Sequence, residues 1–266
     1  VDRTLIENFY SFRDVLGAAN FGERYGWQSI QVVSSNRMEL DNTIKRTYEG
    51  SIKVTVQSGD DPINSTGERA EVVGMFADYA DENADSGTKY YGFSLYIPSG
   101  FTPPSLWGIA LQLHGPDSYT GSAASPAFAL DLKDGSYTVE NRGGSKNSPT
   151  ILRTDLGTIV NDKWVDFIFK VNWAADSSGS VAVWTRCGLG GILKQQKVSS
   201  TNTGVAVNEW NTPTLYQNGD GVVQNHYWKK GLYRNEEAFT NIIYSGRLCR
   251  ADTLQYAALG AFDYYP

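Results

Sequence analysis

Apolar and polar residues alternate over long stretches of this chain, the period-2 pattern of a half-buried β-strand. Residues 90–97 place Tyr91, Phe93, Leu95 and Ile97 on one face and end at Pro98-Ser99-Gly100. Residues 107–114 repeat the pattern, with Trp107, Ile109, Leu111 and Leu113 predicted inward. Across Trp164–Trp173 the apolar face is Val165, Phe167, Phe169, Val171 and Trp173, and a turn at 176–179 leads into 180–184 as a hairpin. Further strands are predicted near 29–33, 44–48, 52–56, 68–76, 137–139, 222–234, Asn241–Ser245 and Leu254–Phe262. Helical periodicity is scarce, and residues 5–16 are the best short candidate. Many strands, regular turn signals and no βα alternation predict an all-β fold, a sandwich or jelly roll of two antiparallel sheets. No linker, repeat or low-complexity segment divides the chain, so residues 1–266 read as a single domain.

Composition adds limits. Of 266 residues, 41% are hydrophobic and 20% charged, enough apolar surface for a sizeable core. Aromatic residues reach 13%, which suits strands and also a groove where sugar rings stack. A net charge of −6 argues against nucleic-acid binding, and it requires that any basic groups facing a polyanion be local. No apolar run is long enough to span a membrane. The start at Val1-Asp2-Arg3 reads as a mature, secreted chain whose leader has been removed. Export in turn predicts a disulfide between Cys187 and Cys249. Asn64-Ser65-Thr66 is a glycosylation sequon, a triplet that also arises by chance.

Three segments hold polar residues that a plain sandwich does not need. Alternation in 107–114 puts Gln112 and His114 opposite Leu111 and Leu113, with Gly108 and Ala110 before them leaving room for a ligand. In 226–235, one face carries Tyr227, Lys229, Gly231 and Tyr233, and the other His226, Trp228, Lys230, Leu232 and Arg234. The first of these faces is too polar for a core and too aromatic for idle surface; Gly231 clears space for a backbone or a sugar. In 67–72, Arg69 and Glu71 share a face, an arrangement that a cross-strand ion pair also explains.

Together these groups suit β-elimination on a 4-linked uronate. That reaction must neutralise the carboxylate, remove the proton at C5 and protonate the departing O4. Arg69, Gln112 and His114 can donate hydrogen bonds to the carboxylate and stabilise the charge that develops. Tyrosine has a reference pKa of about 10, and one beside a cation can take the proton and return it. Lys229 is the expected cation for Tyr233, and the chemistry requires no cofactor.

The three segments resemble the motif set of the jelly-roll polysaccharide lyases. In the alginate lyases of family 7 the patterns are Arg-Ser/Thr-Glu-x-Arg, Gln-Ile/Val-His and Tyr-Phe-Lys-Ala-Gly-x-Tyr-x-Gln. Here they stand as Arg69-Ala-Glu71-Val-Val73, Gln112-Leu-His114 and Tyr227-Trp-Lys229-Lys-Gly231-Leu-Tyr233-Arg-Asn235. Val73, Lys230 and Asn235 depart from that pattern. The frame around 91–98 and 231–245 is similar to the heparin-lyase-I-like group, near the glucuronan lyases of family 20.

The resemblance implies a β-jelly roll with a concave substrate cleft. It makes Tyr233 the base and acid, with His114, Gln112 and Arg69 at the carboxylate. Lys229, Tyr227, Glu71 and Arg234 would bind substrate. It implies an enzyme acting on an acidic polysaccharide, β-1,4-glucuronan ahead of polymannuronate, and a monomer is expected. Calcium-bearing relatives imply a structural calcium ion, but the acidic stretch 78–85 lacks a calcium-loop pattern, so its ligands stay unassigned. A concanavalin-like hydrolase would need two carboxylates at one site, which 39–44 does not complete. A non-catalytic carbohydrate-binding module would explain the aromatics but not the set Gln112, His114, Lys229 and Tyr233.

Overall fold

Alternation along the chain becomes two large, mainly antiparallel sheets, packed face to face, and a small two-stranded one, in a computed structural model that describes residues 5–6, 29–64, 67–75, 87–114, 126–145, 148–199, 205–217 and 226–264. The first sheet runs Lys194–Gln195, Ser180–Cys187, Trp164–Trp173, Gly87–Tyr96, Asn241–Ser245, Ser51–Val56 and Met38–Asp41. The second runs Thr150–Thr158, Ser136–Ser145, Phe128–Asp131, Gly108–His114, Tyr227–Arg234, Glu68–Met75 and Ser29–Gln31. Phe93, Phe167 and Phe169 of the first sheet meet Leu111, Phe128, Trp228 and Leu232 of the second in one core. Ring centroids of Phe128 and Phe169 lie 4.9 Å apart and those of Tyr91 and Trp228 4.7 Å, so aromatic pairs bridge the layers. Among the described residues no helix is long and apolar enough to cross a membrane.

The strongest alternations keep their predicted bounds, and weaker ones do not. Trp164–Trp173 and Asn241–Ser245 stand as expected, and the hairpin extends to Cys187. Residues 44–48 form a turn instead of a strand. Asp41 Oδ1 accepts the backbone N–H groups of Thr43 and Ile44 at 2.7 Å each, and the strand lies earlier, at Met38–Asp41. Of the helix predicted at 5–16, Leu5–Ile6 pair as a strand with Cys249 and Arg250, and residues 7–16 lie outside the described residues. Strands Phe128–Asp131 and Thr150–Thr158 carried no clear period and were not predicted.

Leu254–Phe262 is a helix, not a strand. Thr253 caps it, its side chain accepting the Tyr256 N–H, and Ala257, Ala258, Ala261 and Phe262 form its buried face. That face lies across Gly87–Tyr96. A Cβ at Gly92 would stand 2.6 Å from both the Ala257 carbonyl oxygen and the Ala261 Cβ, so only glycine admits the helix there.

The expected disulfide is absent: both cysteines are free. Cys187 is exposed at the end of its strand, whereas Cys249 is sealed beneath the helix, and burial pushes its thiol up to about 12. A thiol titration should therefore find one fast-reacting group per native chain, Cys187, and a second only after unfolding. Two unreactive cysteines in the unfolded, unreduced protein would show a disulfide instead.

Candidate active site

Three adjacent strands of the second sheet, Gly108–His114, Tyr227–Arg234 and Glu68–Met75, bring the predicted residues other than Arg234 onto one outward face. Register fixes their order. Tyr227 lies opposite His114, Lys229 opposite Gln112 and Val73, Gly231 opposite Glu71, and Tyr233 opposite both Ile109 and Arg69.

The centre of the face is a buried carboxylate. Glu71 accepts a hydrogen bond from Gln112 Nε2 at 2.5 Å and pairs with Lys229 Nζ at 2.8 Å, with Arg69 Nη1 at 3.6 Å. Gln112 and Lys229 lie on the faces expected to meet a ligand, but they are only 1% and 4% exposed because they converge on this group. Gly231 explains the closeness of the strands. Its φ is +149°, and a Cβ there would stand 2.0 Å from the Ala70 carbonyl oxygen. The space it clears is filled by the neighbouring backbone rather than by a ligand.

At one end of this row stands Tyr233. The Arg69 guanidinium lies over its ring at 3.9 Å from the centroid, and Trp107 meets it edge-on at 5.9 Å. The cation beside Tyr233 is thus Arg69, not Lys229, whose ammonium is drawn to Glu71 two positions along the strand. Gly67 supports the ring from beneath: it has φ +106°, and a Cβ would come 2.9 Å from Tyr233 Cε2. At the other end the Tyr227 hydroxyl and His114 Nδ1 lie 3.4 Å apart, both side chains partly exposed.

Arg234 was expected to bind substrate and instead points inward. It is fully buried, with its guanidinium on Glu68 at 2.7 Å, on Asn241 Oδ1 at 2.6 Å and on the Phe239 carbonyl. Alternation along the strand requires this, since Arg234 shares a face with Trp228 and Leu232.

Trp107, Gly67 and Asn235 were missed as parts of the site. Trp107 and Ile109 were read as inward with Leu111. However, Leu111 aligns with Leu130 and Ile109 with the next residue, Asp131, so the strand holds one extra residue at Ala110. That bulge carries Ala110 into the core beside Leu111 and sets Ile109 opposite Tyr233. Asn235 ties down the loop before it: its Oδ1 accepts the backbone N–H of Leu106 and Trp107 at 3.0 and 3.2 Å, and its Nδ2 donates to Ser105 Oγ at 2.9 Å. Burial also pushes the Asp131 carboxyl up, although it accepts the Gly108 N–H at 2.6 Å.

Among the described residues no three His, Cys, Asp or Glu side chains come together as a metal site. The acidic stretch 78–85 lies outside the described residues, as do Ser65 and Thr66 of the sequon. Replacing Glu71 should be severe, because it leaves the Lys229 ammonium buried without its counter-charge. Glu71→Ala should cost about 3–5 kcal/mol in urea denaturation. A loss below about 1 kcal/mol would mean that the three cationic and amide groups find other partners.

A search of the curated proteins found no match. Among solved structures, the endo-β-1,4-glucuronan lyase from the fungus Trichoderma reesei is similar over 90% of this chain and 96% of that one, with a TM-score of 0.65 at 14% identity. The marine family 14 alginate lyase from Aplysia kurodai is similar over 93% and 97%, with a TM-score of 0.54 at 10% identity. Identity this low shows likeness of fold, the β-jelly roll of these lyases. The family model for polysaccharide lyases matches residues 19–247 of the sequence itself, and with most of its length so covered the chain belongs to the polysaccharide lyase family.

Proposed function

We propose that this lyase cleaves a 4-linked polyuronate by β-elimination, with β-1,4-glucuronan as its preferred polymer, and that Tyr233 is both base and acid. The observation that carries the reading is the clamp on Tyr233, with a guanidinium 3.9 Å from the ring centroid and an indole edge against it. Arg69 supplies positive charge where the ring must carry negative charge while it holds no proton. His114, Gln112 and Arg69 act at the substrate carboxylate. Glu71 and Lys229 work from beneath, fixing the Gln112 amide, which carries a second N–H for the substrate. Tyr227 lines the cleft beside His114.

In the proposed reaction Tyr233 takes the C5 proton. The released electron pair forms the C4–C5 double bond as the C4–O4 bond breaks, and the proton then passes to O4. The new non-reducing end is a 4,5-unsaturated uronate. One tyrosine can serve both transfers where H5 and O4 lie on the same side of the ring, as in β-D-glucuronate and β-D-mannuronate. Guluronate, inverted at C5, would need a second group on the other side. Val73 in place of the second arginine of family 7, and the shared fold of a glucuronan lyase, favour glucuronan, with polymannuronate next. The steps assigned to side chains need no cofactor. We further propose that the chain acts as a single-domain monomer outside the cell.

The test is absorbance of the new conjugated double bond on a panel of polyuronates. Wild type should release unsaturated oligosaccharides fastest from β-1,4-glucuronan. Tyr233→Phe, which removes only the hydroxyl, should lower turnover by about 10²- to 10⁴-fold with the fold intact. Retention of more than about a tenth of the wild-type rate would remove Tyr233 from the role. A preference for polyguluronate would defeat the single-tyrosine mechanism.

A further inference from the structure

Beyond the residues at Tyr233 and His114, the same outward face carries a second cationic group. Glu140 lies on Ser136–Ser145, 12% exposed, and its two carboxylate oxygens accept the Nε–H of Arg142 and of Arg153 respectively. Arg153 reaches it from Thr150–Thr158, directly opposite in register. A cross-strand ion pair needs one arginine. Here a second arrives from two residues along the same strand, so two cations share one carboxylate and a positive charge is left over.

The register ties this group to the site already described. Lys229 pairs with Gln112, Gln112 with Ala129, Ala129 with Glu140 and Glu140 with Arg153, one row across the strands. Two strand spacings separate Gln112 from Glu140, roughly 10 Å. In that row the strand between them presents Ala129, whose methyl leaves the floor low. Arg142 lies one step towards the His114 end: its N–H bonds the Ala127 carbonyl, and the Ala127 N–H bonds the Leu113 carbonyl. The other carboxylates on these strands, Asp131 and Asp155, fall in the Tyr233 row instead, aligned with Ile109 and Thr138.

We propose that Arg142 and Arg153, braced by Glu140, bind the carboxylate of a uronate unit beyond the one that reacts, and thereby select a polyanionic chain over a neutral one. The side chains are 20% and 59% exposed, and Glu140 engages each at Nε, the inner corner of the guanidinium. The outer N–H groups of each fork match a carboxylate in the paired geometry that favours arginine over lysine. This assignment rests on the polyuronate reading above and extends it to a subsite.

Binding can be measured without turnover in the Tyr233→Phe protein by calorimetry. The ligands are β-1,4-glucuronate and β-1,4-mannuronate oligomers of two and six units, and the neutral β-1,4-glucose hexamer. Adding Arg142→Ala and Arg153→Ala should weaken the better charged hexamer by about tenfold or more, the scale of one or two charge-assisted hydrogen bonds. The dimer and the neutral hexamer should change by less than about twofold. Arg→Lys at both positions should recover part of the loss, because charge returns without the fork. Unchanged charged-hexamer affinity, or equal losses for dimer and hexamer, would overturn the subsite while leaving the elimination assay standing. Failure of every charged hexamer to bind the Tyr233→Phe protein would overturn both readings.

Discussion

Lys229, Lys230 and Arg234 lie on Tyr227–Arg234, an interior strand of the second sheet, and none is more than 4% exposed. Removing such ions from water costs several kcal/mol each unless partners replace the lost hydration. Lys229 faces outward onto Glu71, Lys230 faces inward onto the Gly246 carbonyl at 2.9 Å, and Arg234 faces inward onto Glu68. Both carboxylates come from the neighbouring strand, three residues apart, so one reaches each face. Slipping that strand by one residue would move each carboxylate to the wrong side and leave cations buried without partners. Charge, more than apolar pattern, therefore locks this register.

The geometry around Tyr233 follows from the lock. With Glu68 opposite Arg234, Arg69 must fall opposite Tyr233, and its guanidinium comes to rest on the ring. Close approach is then managed by glycine. Gly231 lets the Ala70 carbonyl in, and Gly67 lets the Tyr233 ring lie flat against the strand entry. Asn235 completes the frame by holding the backbone that delivers Trp107. The Tyr233 ring is thus positioned by Arg69, Trp107 and Gly67.

How much of this was legible in the sequence depended on whether one force acted alone. Where apolar burial sets the face, as in Trp164–Trp173, period-2 reading placed each side chain on its correct side, and it did so too in Tyr227–Arg234, where charge pairing agrees with the alternation. It failed where an insertion changed the phase: nothing in Trp107–Gly–Ile–Ala–Leu announces that Ala110 is the extra residue, because its bulge answers the shorter neighbour at 130–131. The segment Leu254–Phe262 fits both periods, since Leu254, Tyr256, Ala258 and Phe262 fall on alternate positions while Ala257, Ala258, Ala261 and Phe262 share a helical face. Its cap at Thr253 and its alanine content were the available signs of a helix. The site types were visible, yet their exposure was not. Gln112 and Lys229 look solvent-facing by alternation, and only the partner strand shows that Glu71 draws them under.

The same coupling bears on how an acidic chain can hold an acidic polymer. Glu71 consumes the charge of Lys229, and Glu68 that of Arg234, so neither cation offers much field to a ligand. Val73 stands where family 7 carries a second arginine, opposite Lys229, and adds no charge of its own. Among the described residues, positive charge on the outward face then lies at its margins: Arg69 at the Tyr233 end, and Arg142 with Arg153 two strands beyond Gln112. Such separation divides the work. In the proposed reaction, charge next to Tyr233 would act on the unit that reacts, and charge farther along the face would hold the chain in line. A negative net charge keeps distant polyanions from sticking elsewhere on the surface, since screening confines attraction to within about 10 Å of these few groups. An overall charge of −6 is thus compatible with a polyanionic substrate so long as its contacts are few, local and in register with the strands that present them.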